Sequence, residues 1–194
     1  MIRIAEARDA AQIAEIYRPY VEKTAITFEE SAPDAAQIGH KIQKIGATLP
    51  FLVLEQGGEV LGYAYATQYR ERAAYRWSLE DSVYLREDST GRGLGRALLA
   101  PLIELLRELG YIKVYAVITP PNPASVALHE RFGFSHLCRF TDTAFKLGAW
   151  RAIDWMELTL CEISARPEEP LPFPEFALAR AERLALILER GRGQ

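Results

Sequence analysis

The chain has 194 residues, 49 % of them apolar, a length within the usual range of one domain and enough hydrophobic surface for a sizeable core. Its 23 basic and 26 acidic side chains leave a net charge of −3 with no large basic block, so the electrostatic footprint of a nucleic-acid binder is missing. Cys138 and Cys161 belong to no CxxC pair, which argues against a disulfide scaffold and a thiolate metal site and suits a reducing cytoplasm, and no apolar run reaches the roughly 18 residues that cross a bilayer.

Ile2, Ile4 and Ala5 begin a short strand, after which Asp9 is placed to cap a helix carrying Ile13, Ile16 and Tyr20, with Pro19 kinking or shortening it. Thr27, Phe28 and Glu29 connect to a second helix, announced by Pro33 and Asp34, running through Ile38, Ile42 and Ile45 and closed by Gly46. PFLVLE and EVLGYAYA read as two strands paired antiparallel across a Gln56-Gly57-Gly58 turn. A polar and aromatic connection from Gln68 to Trp77 leads to the strand LEDSVYLRE. The glycine-rich TGRGLGRA then opens a long helix, LLAPLIELLRELG, which Pro101 should bend. YIKVYAVIT is a further strand, PPNP a breaker, and Ala124 to Phe132 a short helix ended by Gly133. FSHLCRFTDTAF and RAIDWMELTL complete the set as two strands about a Leu147-Gly148-Ala149 turn. This order predicts an α+β, or mixed α/β, sheet with helices on both faces. Residues 1–162 form the expected domain; 163–194 hold a proline-rich linker and a terminal helix, ALARAERLALILERGRGQ, whose leucines lie on one side. That helix reads as docked on its own domain or on a second subunit, with a lid or a partner-binding arm as the alternative.

The turn from Thr90 to Arg96 joins a strand to a helix, so it gathers backbone N–H groups and the positive end of a helix dipole at one place, the layout of a phosphate site. No Gly-Lys-Ser/Thr follows, which excludes a P-loop, and antiparallel strands before alternating Gly91, Gly93 and Gly95 do not suit a dinucleotide fold.

Arg92-Gly93-Leu94-Gly95 after a strand resembles the acetyl-CoA pyrophosphate loop of the GNAT superfamily, although Thr90 stands where that pattern has Gln or Arg. NPASVALHERFGF resembles its second signature, an Asn opening a short helix that ends in Gly-Phe. Thr27-Phe28-Glu29-Glu30, AYRWSLEDSVYL and Phe145-Lys146-Leu147-Gly148-Ala149-Trp150 with Trp155 bring the resemblance closer to phosphinothricin and methionine sulfoximine acetyltransferases. The resemblance implies a GNAT fold, with a mostly antiparallel twisted sheet of about six to seven strands flanked by helices, and acetyl-CoA as co-substrate without a metal. It implies that Val83, Tyr84, Leu85, Gly91, Arg92, Gly93, Leu94, Gly95, Arg96 and Asn122 hold acetyl-CoA.

Acetyl transfer to an amine requires an ammonium to lose a proton and a thiolate to be accommodated. Glu80 and Asp81 face opposite ways on a strand, so one of them points into the site, and Glu80 matches the subgroup's general base. His129 occupies the position at which many GNAT proteins carry a tyrosine thought to protonate the thiolate; it is the expected acid, or an assisting base, with a packing role as the alternative. Arg70 and Arg72 offer guanidinium groups to an amino acid carboxylate, Arg72 being the preferred of the two, and Phe28, Tyr75 and Trp77 wall the pocket or belong to the core. The expected partners are a small-molecule amine and a second copy of the chain, as in the subgroup, with neither nucleic acid nor membrane. Acetylation of protein N-termini, lysines or polyamines stands as an alternative, as does a silent acyl-CoA-binding module.

Overall fold

The computed structural model describes residues 1–191; the last three residues of the expected terminal helix, 192–194, lie outside the described residues. Strand β1 (Ile2–Ile4) is followed by helices α1 (Ala10–Lys23) and α2 (Ala35–Gly46), then strands β2 (Phe51–Gln56), β3 (Glu59–Gln68) and β4 (Ser78–Leu85). Helix α3 (Leu94–Glu108), strand β5 (Lys113–Ile118), helix α4 (Pro123–Arg131) and strands β6 (Ser135–Lys146) and β7 (Ala149–Thr159) complete the expected order. The seven strands form one sheet in the order β1-β2-β3-β4-β5-β7-β6, antiparallel throughout except where β4 meets β5.

The strand period of two sorts the layers. Tyr63 of β3 and Tyr84 of β4 share one face, where Tyr84 lies 4.9 Å from the ring of Tyr17 and 5.1 Å from that of Tyr20, placing α1 there. Gly62 and Leu85 share the other face, against Leu98 of α3. A Cβ at Gly62 would lie 2.4 Å from Leu85 Cδ2 and 2.8 Å from the main-chain oxygen of Tyr84, an atom that cannot move aside. Gly62→Ala should therefore cost about 1–3 kcal/mol by overpacking, read as a lower urea midpoint; an unchanged midpoint would show that α3 can shift at no cost.

One local expectation needs correction. Asp9 does not cap α1: it is 2 % exposed, receives both Arg3 terminal nitrogens at 2.7 Å and accepts the Glu6 N–H, because a buried carboxylate requires a charged partner. Helices α1 and α3 run on past Pro19 and Pro101, to Lys23 and Glu108. At α2, by contrast, Asp34 accepts the Gln37 N–H at 2.8 Å while Gln37 returns a bond to the Asp34 N–H, a complete capping box.

The terminal segment docks on its own chain as two helices, α5 (Phe173–Ala179) and α6 (Ala181–Arg190), with Arg180 breaking the run. Leu171 N–H bonds to Leu109 C=O and Phe173 N–H to Thr48 C=O; Phe176 and Ile187 are fully buried, and Arg183 reaches both Glu104 and Glu108 of α3 at 2.8 Å. The linker before it also touches the connection ahead of β4, where Trp77 Nε1 donates to Glu168 C=O at 2.7 Å and Arg76 pairs with Glu169.

Candidate active site

β4 and β5 are paired only over Ser78–Glu80 and Lys113–Tyr115, after which β4 stays with β3 and β5 with β7. The middle of the sheet opens as a fork. Tyr69 N–H donates to Ser78 C=O and Arg86 N–H to Leu61 C=O, so even-numbered residues of β4 turn their main-chain groups toward β3. Odd-numbered ones turn the other way: Trp77 C=O accepts from Ile112 and Lys113 N–H, and beyond the fork Val83 and Leu85 direct theirs into the gap. One of these, Leu85 C=O, takes the Tyr20 hydroxyl at 2.6 Å. The main chain of Tyr84 is held by β3, and its ring belongs to the tyrosine stack.

A cavity of about 690 Å³ fills the fork. Val83, Tyr84 and Leu85 form one wall, and Ala116, Val117 and Ile118 the facing one. Its mouth is the glycine turn. Gly91 and Gly93 have φ of 71° and 77°, the left-handed region that glycine enters without strain. No side chain caps α3 at Gly93, so the first N–H groups of that helix remain available to an anion. Gly95 has a different duty, since a Cβ there would lie 3.2 Å from Leu128 Cδ2; its absence lets α3 and α4 approach closely. Leu94, Arg96 and Asn122 also line the cavity, whereas Arg92 projects into solvent outside it. Asn122 caps α4, its Oδ1 accepting the Ser125 N–H at 3.2 Å, which leaves its amide nitrogen as a donor.

Glu80 and Asp81 emerge where the strands part, on opposite faces. Glu80 shares its face with Thr67 and Tyr115, its neighbours across the strands, and does not line the cavity. Burial pushes its carboxyl above the usual range, the Arg70 guanidinium pulls it back, and the charge of Asp81 adds to the rise. Asp81 faces the cavity and lies 3.0 Å from His129 Nε2, with its second oxygen buried and unpartnered.

Of the five residues expected around an amine, Arg70 comes near enough for its charge to act on Glu80 and stacks on Tyr69 at 4.7 Å, while Trp77 is half-buried and tied through Nε1 to Glu168 C=O. Phe28, Arg72 and Tyr75 are exposed and line no part of the cavity. Two residues on this side, Lys146 and Trp155, entered the sequence reading only within the family resemblance, with no role attached. Lys146, near the tip of the β6–β7 hairpin, is 6 % exposed and donates to Thr27 C=O at 2.6 Å, tying the hairpin to the α1–α2 connection. Burial pushes its ammonium pKa down, against the charges of Glu29 and Glu30. Trp155, 6.0 Å from the Tyr115 ring, has a buried Nε1 without a protein partner.

A mostly antiparallel sheet that forks beside a glycine turn at an uncapped helix N-terminus is the arrangement of an acyl-CoA-dependent transferase. A family model described as an acetyltransferase (GNAT) domain matches residues 2–156, so the chain belongs to the GNAT family and is an acetyl-CoA-dependent N-acetyltransferase. It is 39 % identical over 151 residues to a phosphinothricin N-acetyltransferase of Alcaligenes faecalis, covering 77 % of each chain. A methionine sulfoximine/methionine sulfone acetyltransferase of Salmonella typhimurium is 34 % identical over 166 residues, 84 % of this chain and 96 % of the relative. Among solved structures, a phosphinothricin acetyltransferase from Sinorhizobium meliloti in complex with acetyl-CoA superposes with a TM-score of 0.83 at 38 % identity, covering 90 % of this chain and 96 % of that one. Among the described residues no helix is long and apolar enough to cross a membrane.

Proposed function

We propose that the chain transfers an acetyl group from acetyl-CoA to the amine of a small amino acid or close analogue, of the phosphinothricin or methionine sulfoximine kind. The observation that carries this reading is Glu80 at the opening of the fork, on the face opposite the phosphate-binding turn, half-buried and with a guanidinium beside it. Acetyl-CoA, when bound, supplies an activated thioester. The N–H groups at the start of α3 suit its pyrophosphate, and the main-chain groups of Val83 with the N–H of Leu85 suit its amides and the thioester carbonyl.

Glu80 takes the proton from the substrate ammonium, and burial, by raising its carboxyl pKa, makes the carboxylate a stronger base for that step. Arg70 holds the substrate carboxylate, with Arg72, Phe28 and Tyr75 completing the acceptor side. His129 returns a proton on the cavity side. The Lys146–Thr27 contact favours a small acceptor over a peptide, because it joins the hairpin to the α1–α2 connection.

A second copy of the chain is the partner favoured by the β6–β7 hairpin, where Phe140, Phe145, Leu147 and Trp150 are 51–62 % exposed at the edge of the sheet. We assign the protein to the cytoplasm on its cysteine usage.

The test is incubation of the purified protein with acetyl-CoA and a panel of amines while free thiol is followed. Thiol release with phosphinothricin, methionine sulfoximine or free amino acids is the expected result. Release only with peptides or polyamines would replace the proposed acceptor, and silence across the panel would leave a binding module.

A further inference from the structure

His129 lies in the last turn of α4, 5 % exposed, with both ring nitrogens against acceptors. Nδ1 is 2.7 Å from the carbonyl oxygen of Ser125, which can only accept, so Nδ1 carries a hydrogen. Nε2 is 3.0 Å from Asp81 Oδ2. A proton must lie between them, since two lone pairs would otherwise oppose each other, and the carboxylate beside the ring favours its charged form, with that proton on Nε2. The ring thus holds two protons and a positive charge, which the C-terminal end of α4 also favours.

We infer that Asp81 is a positioning residue of the transfer reaction: it holds His129 as a buried imidazolium in the wall of the cofactor cavity, an acid loaded before the thiolate departs. This rests on the acetyl-transfer reading and restricts it, because a histidine with both nitrogens protonated is excluded as the base. That duty is left to Glu80 on the other face.

The groups facing the ring are few. From β4 only Asp81 reaches it, since Glu80 projects through the opposite face. From α4 comes Ser125, and from the segment after it the Phe134 ring, edge-on at 4.9 Å. Arg96 and Arg131, the other charged side chains of the cavity wall, make no hydrogen bond with His129. The second Asp81 oxygen has no protein donor, so among the described residues none other neutralises the carboxylate. Burial alone pulls the imidazole pKa down; the charge of Asp81, its hydrogen bond and the Ser125 carbonyl outweigh burial and leave it raised.

The step balances. As the carbon–sulfur bond breaks, its electron pair stays on sulfur; His129 gives up the Nε2 proton, so that N–H is lost and S–H formed. The ring keeps its Nδ1 hydrogen and becomes neutral, leaving the Asp81 carboxylate opposite a lone pair. That arrangement draws a proton from solvent and reloads the ring between turnovers.

The deciding measurement is an NMR titration of the His129 ring nitrogens in ligand-free protein, wild type and Asp81→Asn, over about pH 5–9, paired with kcat over the same range. In the wild type the midpoint should lie above about 6.5, and in Asp81→Asn it should fall below that value, since burial then acts unopposed. The kcat of Asp81→Asn at neutral pH should drop by about 10-fold or more while KM for the amine stays within about two-fold. A wild-type midpoint at or below the ordinary value overturns the inference even if Asp81→Asn does not fold, as does a midpoint that the substitution leaves in place or a kcat profile that it does not move. Failure of the parent reading looks different: thiol release from none of the amines, with His129 still charged in an Asp81-dependent way.

Discussion

The Glu80→Gln variant is expected to lose about 10²-fold or more in kcat for its amine, the usual range for removal of a general base, or about 2.7 kcal/mol of transition-state stabilisation. Glutamine keeps the size of the side chain and cannot take a proton. The KM for acetyl-CoA should stay within about two-fold, because the residue projects from the face away from the cofactor cavity. The pH profile sharpens the test. Burial raises the carboxyl pKa, so in the wild type kcat/KM should climb with pH through a value above the ordinary glutamate range and be lost as pH falls below it. Glu80→Gln should abolish that acidic limb. Steady-state thiol assays at saturating acetyl-CoA measure both effects, and a variant retaining more than about a third of wild-type kcat would remove Glu80 from the chemistry.

Phe176→Ala should lower the stability of the whole chain by about 3–5 kcal/mol, the range for emptying a buried phenylalanine site. Phe176 is fully buried in α5, and the segment around it is fastened by the Leu171–Leu109 and Phe173–Thr48 main-chain bonds and by Arg183 on α3. If these contacts make the terminal helices part of one cooperative unit, urea unfolding should shift as a single transition. Leu178→Ala is the control: that side chain is 88 % exposed, and its loss should change stability by less than about 0.5 kcal/mol. A small loss on Phe176→Ala, with a separate early transition, would make the tail an appendage.

The element order was legible because its signals are local. Gly57 and Gly58, both at positive φ, mark the β2–β3 turn, and isoleucines at helical spacing mark α2. The glycine turn and Asn122 were legible as helix openings for a related reason, since each acts on backbone near its own place in the chain; both line the cavity in the fork. Pairings across distance left no comparable trace. Asp9 read as a cap because nothing in the sequence ties it to Arg3, and Lys146 lies 119 residues from the carbonyl that holds it. Asp81 is the instructive case. Strand alternation stated that Glu80 and Asp81 part company, but the partner that gives Asp81 its role sits 48 residues away on a helix whose docking only the fold decides.

The forked sheet also works as a partition. Glu80 and Asp81, neighbours on one strand, stand on opposite faces, so adjacent codons address different sides of the sheet. Under the proposed function, residues around Glu80 can be varied to recruit new amines while the glycine turn and the Asp81–His129 pair are kept, which makes this scaffold a natural starting point for retargeting by directed evolution.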